Sequence, residues 1–246
     1  RNGMFWSASL AVQRLESGKW IADPVSAHVT NQVIHVPVTD TIEDVDVGKV
    51  RATSAGFYLP PMRVAFALST TRPNATHGPH RLHLVVDEDV ESLVRPFAEA
   101  LEQLTDKTAF VVGPEHFLAI DGYERHPILH VKNRSEYEYP PLLRLNCYPD
   151  QPHPTRPRIH SSFRRTKILV RGPDGKDMPG SMFDVKHGCE VEVEGYCSSV
   201  WMAEKTHVYG MALRASVIRV VSPQSRWIEK AEEDDFPFGD GFVLAK

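Results

Sequence analysis

The chain has 246 residues, 41% hydrophobic and 24% charged, with a formal charge of −4. This is ordinary globular usage, which excludes wholesale disorder, and the apolar runs, such as AFAL (Ala65 to Leu68), fall far short of the roughly 20 residues of a membrane-spanning helix. The opening RNGMFWSASLAVQRLESGKW has no basic segment followed by a sustained apolar stretch, so no signal peptide is expected, and Cys147, Cys189 and Cys197 without CxxC spacing favour a reducing, intracellular setting over a disulfide framework.

In chain order, QVIHVPV (Gln32 to Val38), MRVAFAL (Met62 to Leu68) and RLHLVV (Arg81 to Val86) predict strands. From Asp89 to Asp106 the period changes. Val90, Leu93, Val94, Phe97, Leu101 and Leu104 recur at spacings of three and four, which predicts one helix with Asp87 or Asp89 as N-cap and a kink or restart at Pro96. A short helix is expected over Pro114 to Ile120. PILHVK (Pro127 to Lys132), LLRLNCY (Leu142 to Tyr148) and TKILVR then return to strand, and the turn GPDGKDMPG leads into CEVEVEGYCSSVWM, where valines and glutamates alternate. GMALRASVIRVV (Gly210 to Val221) reads as a long final strand. The expected fold is mainly β: an OB-fold-like Greek-key barrel with an inserted helix and an acidic C-terminal tail. Residues 1–228 would form the barrel domain with an N-terminal extension and insertions, and residues 229–246 the tail.

Catalytic motifs are missing. There is no GxSxG, no GxxxxGK[ST], and no GxGxxG opening a helix. Asp44 with Asp46, or Asp87 with Asp89, could hold Mg2+, but such pairs more often cap helices or sit in turns. His187, Cys189 and Cys197 lack an accepted zinc spacing, and the two cysteines suit a barrel core. No enzyme activity, cofactor or metal is therefore expected.

Charge distribution is more telling than its sum. The segment Glu229 to Lys246 holds six acidic and two basic residues, which accounts for the whole formal charge, so the rest of the chain is balanced. Between Asp150 and Asp174 no acid interrupts Arg156, Arg158, Arg164, Arg165, Lys167 and Arg171. Basic and aromatic residues also interleave on the predicted β elements: Lys132 and Arg134 before Tyr137 and Tyr139; Arg144 before Tyr148; Phe163 beside Arg164 and Arg165; Trp201 and Tyr209 around Lys205, with Arg214 beyond. Single-strand binders combine these two features, a cationic groove for the backbone and aromatic faces for bases. Trp201 and Tyr209 are expected at the barrel rim.

The stretch from Glu115 to Val221 resembles the single-stranded DNA-binding proteins of large nucleocytoplasmic DNA viruses, which are related in fold to the podophage single-stranded DNA-binding protein. Three landmarks carry it: a lysine-bearing strand leading into YPPLLR (Tyr139 to Arg144), the strand EVEVEGYCSSVWM, and the glycine-opened YGMALRASVIRVV with Arg214 and Arg219. The tail EKAEEDDFPFGDGF resembles those of bacterial and phage single-stranded DNA-binding proteins. The resemblance implies that the tail recruits replication proteins, a polymerase or helicase-primase, through Asp234, Asp235, Phe236 and Phe238, and competes with DNA for the groove. It departs from those tails in continuing through Gly241 to Lys246. The expected function is sequence-tolerant single-stranded DNA binding in replication, recombination or repair for a virus, within a replication compartment in the host nucleus or cytoplasm, with self-association left open and no membrane partner. The competing reading is a β-barrel component of a virion.

Overall fold

The computed structural model describes residues 20–22, 28–30, 33–40, 55–70, 79–111, 122–131, 133–134, 137–138, 140–148 and 165–222. Three strands come first: β1 (Trp20–Ala22), β2 (His28–Thr30) and β3 (Val33–Asp40). Next are β4 (Ala55–Arg63), β5 (His80–Val85) and helix α1 (Glu88–Val111). Short strands β6 (Glu124–Arg125), β7 (Leu129–His130), β8 (Asn133–Arg134) and β9 (Tyr137–Glu138) precede β10 (Leu142–Cys147). Strands β11 (Lys167–Arg171), β12 (Asp177–Pro179), β13 (Glu190–Ala203) and β14 (Val208–Ser222) complete the set.

Five of these strands close on themselves. β4 runs antiparallel to β13, β13 antiparallel to β14, β14 parallel to β10 at Asn146–Arg214, and β10 antiparallel to β5. The ring is completed where Val64 bridges Leu84 and the Ala65 N–H donates to the His83 carbonyl at 2.9 Å. In chain order these are barrel strands 1 to 5; around the barrel they run 1-4-5-3-2, with antiparallel neighbours except for the parallel 3–5 contact. That is an OB-fold Greek-key barrel, and α1 is inserted between its second and third strands. The N-terminal strands extend it: β3 takes over from β4 along the C-terminal half of β13, and β1 and β2 cover the outer edge of β3.

The period-2 pattern of β13 is kept by its burial. Val191, Val193 and Cys197 are fully buried while Glu190, Glu192 and Glu194 lie on the outer face. Gly195 allows the tightest approach, since a Cβ there would sit 2.6 Å from the Phe57 ring and 2.7 Å from the Arg214 carbonyl. Phe57 in turn meets Phe97 of α1, ring centroids 5.2 Å apart, which seats the helix on the barrel core. All three cysteines are free and buried. Burial pushes the Cys147 thiol up to about 12 and that of Cys189 to about 11, so both remain unreactive.

Two expected elements are displaced. MRVAFAL is strand only at its start: Met62 and Arg63 end β4, Val64 adds a bridge to Leu84, and the chain then turns through Ala65 and Phe66 into a 3-10 turn at Leu68–Thr70. The strand starts earlier, despite Pro60 and Pro61, because these fall beside a register shift against β13 where ladder donors are dispensable. The helix is one continuous element through Pro96, capped by Asp87, whose carbonyl accepts from Val90 and Glu91. Leu93, expected on its apolar face, is exposed. The expected helix at 114–120 and the acidic tail lie outside the described residues.

Candidate nucleic-acid interface

Strands β5, β10 and β14 present one outward face. Leu82, Leu84, Leu143, Leu145 and Leu213 fill the barrel, so the alternate positions Arg81, His83, Arg144, Asn146 and Arg214 point away from it. The register sets them side by side: Arg144 opposite His83, Asn146 opposite Arg81, and Asn146 beside Arg214. Tyr148 follows, with the Arg214 guanidinium 5.3 Å from its ring centroid. Thr166 holds that corner, its hydroxyl accepting from the Tyr148 N–H at 2.9 Å and donating to the Ala215 carbonyl at 2.7 Å.

A second group borders this face. The His126 and His130 rings are 4.6 Å apart, and His126 lies 5.7 Å from Trp201. Trp201 pairs with Gly210, where a Cβ would come within 3.0 Å of the indole, so the glycine makes room for the ring. Nearby, Tyr123 stacks on His207 at 5.0 Å, and His207 takes a positive φ of 51° in the turn between β13 and β14. The segment is anchored to α1. Arg125 reaches Asp106 at 2.5 Å and Glu102 at 3.0 Å, and the Ile128 N–H donates to Glu102 at 3.0 Å.

Among the described residues the charges of this face are uncompensated. Among the described residues no carboxylate pairs with Arg81, Arg144 or Arg214, and the buried Nε atoms of Arg144 and Arg214 lack a hydrogen-bond partner. Burial, then the charge of Arg81, holds the Arg144 guanidinium below its ordinary pKa. Burial also lowers His130 to about 3, assisted by Arg144, His126, His83 and Arg81. His126 is lowered by burial and Arg144, with Glu124 opposing. Half-buried donors without acceptors are costly in a folded protein. A bound polyanion would supply the missing acceptors and charge.

The expected site residues divide accordingly. Arg144, Tyr148 and Arg214 meet on the face, Trp201 borders it, and Arg165, Lys167 and Lys205 are exposed. Tyr209 is a correction. It sits one residue from Gly210, the partner of Trp201, so the strand's period sends it to the opposite face. There it is only 7% exposed, and its hydroxyl donates to Asp106 at 2.8 Å, with burial and that carboxylate raising its pKa to about 12. Tyr209 is a strut between barrel and helix. Of Arg134 only the backbone, in the β8–β9 hairpin, is described; Lys132, Tyr139, Arg158, Phe163 and Arg164, like Asp234, Asp235, Phe236 and Phe238, lie outside the described residues.

Sequence reasoning missed Arg81, His83, His126 and His130. The signal for the first two was present in RLHLVV, whose polar positions alternate with buried leucines. The two histidines sit four apart, His126 just after β6 and His130 in β7, with Pro127 between them, where no regular period marks a shared face.

No protein-family profile matches the chain, and no curated protein sequence matches it. Among solved structures it is similar to the single-stranded DNA-binding protein of bacteriophage Enc34, at 13% identity over 84% of this chain and 96% of that one, TM-score 0.41. The same phage protein in complex with single-stranded DNA matches at 13% identity over 80% and 97%, TM-score 0.40. The single-stranded DNA-binding protein gp2.5 of bacteriophage T7 matches at 10% identity over 78% and 100%, TM-score 0.42. Likeness at this level carries no functional weight; the OB-fold assignment follows from the strand pairings.

Proposed function

We propose that this chain is a non-enzymatic, sequence-tolerant single-stranded DNA-binding protein. The observation that carries this reading is the outward face of β5, β10 and β14, where Arg81, Arg144 and Arg214 stand beside Tyr148 without a carboxylate among the described residues to neutralise them. In OB-folds the face of strands 2 and 3 and the loops between strands 1–2 and 4–5 are the oligonucleotide-binding surface. Here those strands are β5 and β10, and the second loop carries Lys205 and His207. Guanidinium groups contact phosphates and rings contact any base, so the chemistry favours strand over sequence.

Action in DNA replication, recombination or repair of a virus, in a replication compartment of the host nucleus or cytoplasm, belongs to the same proposal, as does kinship with the nucleocytoplasmic-virus proteins resembled above. So does capture of a replication protein by the acidic tail. The test is fluorescence anisotropy with single-stranded DNA, duplex DNA and RNA across a salt series. Three neutralised phosphates predict a log–log slope of about −2 for the single strand. Equal affinity for duplex, or an affinity indifferent to salt, would remove the reading.

A further inference from the structure

Beyond the cationic face itself lies Phe66, a residue that the sequence pattern places inside a strand and the structure places outside one. It is 45% exposed on the turn that follows β4. An exposed phenylalanine alone means little. This one is held on both sides: the Val64 N–H donates to the Cys189 carbonyl at 2.9 Å, and the Leu68 N–H to the Val185 carbonyl at 2.9 Å. The Ala65 carbonyl meets His187 Nδ1 at 2.7 Å. The backbone that carries the ring is thus pinned to the barrel, in the loop between barrel strands 1 and 2.

The ring also has a defined neighbour. Phe66 makes a T-shaped contact with His83, centroids 5.3 Å apart at 90°. His83 is the cross-strand partner of Arg144, and Arg81 lies two residues along the same face of β5. A fixed, half-exposed aromatic ring therefore stands one side chain away from guanidinium groups that lack a counter-charge among the described residues. Phe183 is more exposed, at 65%, but lies in the turn that follows β12, not beside β5 or β10 in the ladder.

We propose that Phe66 is a base-stacking platform: a nucleobase of a single strand whose phosphates lie on Arg144 and Arg81 stacks on its ring. This rests on the single-strand reading and names a residue that recognises the base instead of the backbone. Pre-fixing the ring lowers the ordering cost of the contact, as rigid aromatic anchors do at other interfaces.

The experiment compares wild type, Phe66→Ala, Phe66→Trp and Arg144→Gln by anisotropy. The two probes are an oligothymidylate of about 16 nucleotides, at the upper end of OB-fold site sizes, and an abasic deoxyribose-phosphate strand of the same length. Phe66→Ala should weaken oligothymidylate binding about 5- to 140-fold and leave the abasic strand unchanged. Phe66→Trp should keep the affinity, with its added fluorescence quenched by oligothymidylate and not by the abasic strand. Arg144→Gln should weaken both probes. Should Phe66→Ala bind both strands like wild type, or lose both equally while its melting temperature holds, the stacking proposal is overturned and the cationic reading stands. If wild type binds neither strand, both fall together.

Discussion

Strand β14 carries two arginines five residues apart, Arg214 and Arg219, and the barrel treats them oppositely. Glu194 pairs with Val217 and Gly195 with Ala215, so Ser216 is an extra residue in the ladder, and this bulge turns both arginines outward despite their odd spacing. Arg219 then enters a closed network. It contacts Asp177 at 2.7 Å, Glu192 at 3.1 Å and Glu194 at 3.6 Å, while Arg171 adds a second guanidinium to Glu192 at 3.3 Å. Hydrogen bonding to Asp177 raises the Arg219 pKa. Among the described residues Arg214 meets the Tyr148 ring and no carboxylate, and its companion Arg144 is lowered, not raised. Among the described residues, one barrel thus holds a self-satisfied cation cluster and an unsatisfied one. Charge that a fold neutralises serves the fold, and charge left open at a desolvation cost is available to a ligand.

The strongest way to break this comparison is to reverse the open cluster. Arg144→Glu with Arg214→Glu removes two charge-assisted contacts, each worth about 1.5–3 kcal/mol, and adds repulsion. Single-strand affinity should fall at least about a hundredfold, and the salt slope should shrink by about 1.4. Retained affinity in a folded double variant would show that DNA, if bound, lies elsewhere, for instance on the basic segment that includes Arg158 and Arg164.

A smaller effect sharpens the contrast on stability. Arg219 is 17% exposed, and Arg219→Gln would leave Arg171 alone to offset Asp177 and Glu192, with Glu194 losing its Arg219 contact. The cost should be about 1–3 kcal/mol, below that of a fully buried pair because water still reaches the cluster. Thermal denaturation should show it as a drop of several degrees, with DNA affinity unaltered. Arg144→Gln should do the reverse, weakening DNA binding without lowering the melting temperature, because it relieves burial and the repulsion from Arg81. Matching behaviour of the two variants would erase the distinction between the clusters.

This division was only half legible in the residues. The long strands β13 and β14 and the helix announce themselves by periods of two and of three to four, because each buries one continuous face. β4 does not, since Pro60 and Pro61 mimic a loop and only the pairing with β13 shows where ladder donors can be spared. The site suffers more. Arg144 and Arg214 were visible as basic residues among aromatics, and so was Arg219, but whether an arginine is neutralised depends on carboxylates from β12 and β13, distant in the chain. Tyr209 was misplaced by a single residue, enough in a strand to exchange the wet face for the buried one.

The last and smallest effect uses protons to separate the clusters. His130, held near 3 chiefly by burial and then by Arg144, His126, His83 and Arg81, is neutral in the free fold at pH 7. In the unfolded chain it titrates near 6.5. Between these values the unfolded state binds more protons, so its contribution to stability is full above about pH 6.5 and is lost as pH falls toward 3. Phosphates on Arg144 and Arg81 act in the opposite sense on the complex. They offset the cationic share of what keeps His130 and His126 neutral, burial being the larger share, so binding favours proton uptake and affinity rises weakly with acid. From pH 7.5 to 5.5 at constant ionic strength, single-strand affinity should rise by no more than about threefold, while the free protein melts earlier. His130→Gln with His126→Gln should flatten the affinity trend; Arg219→Gln, in the carboxylate cluster of Asp177, Glu192 and Glu194, should not. An affinity that falls with acid, or a trend that survives loss of both histidines, would mean that the bound phosphates do not approach this corner of the face.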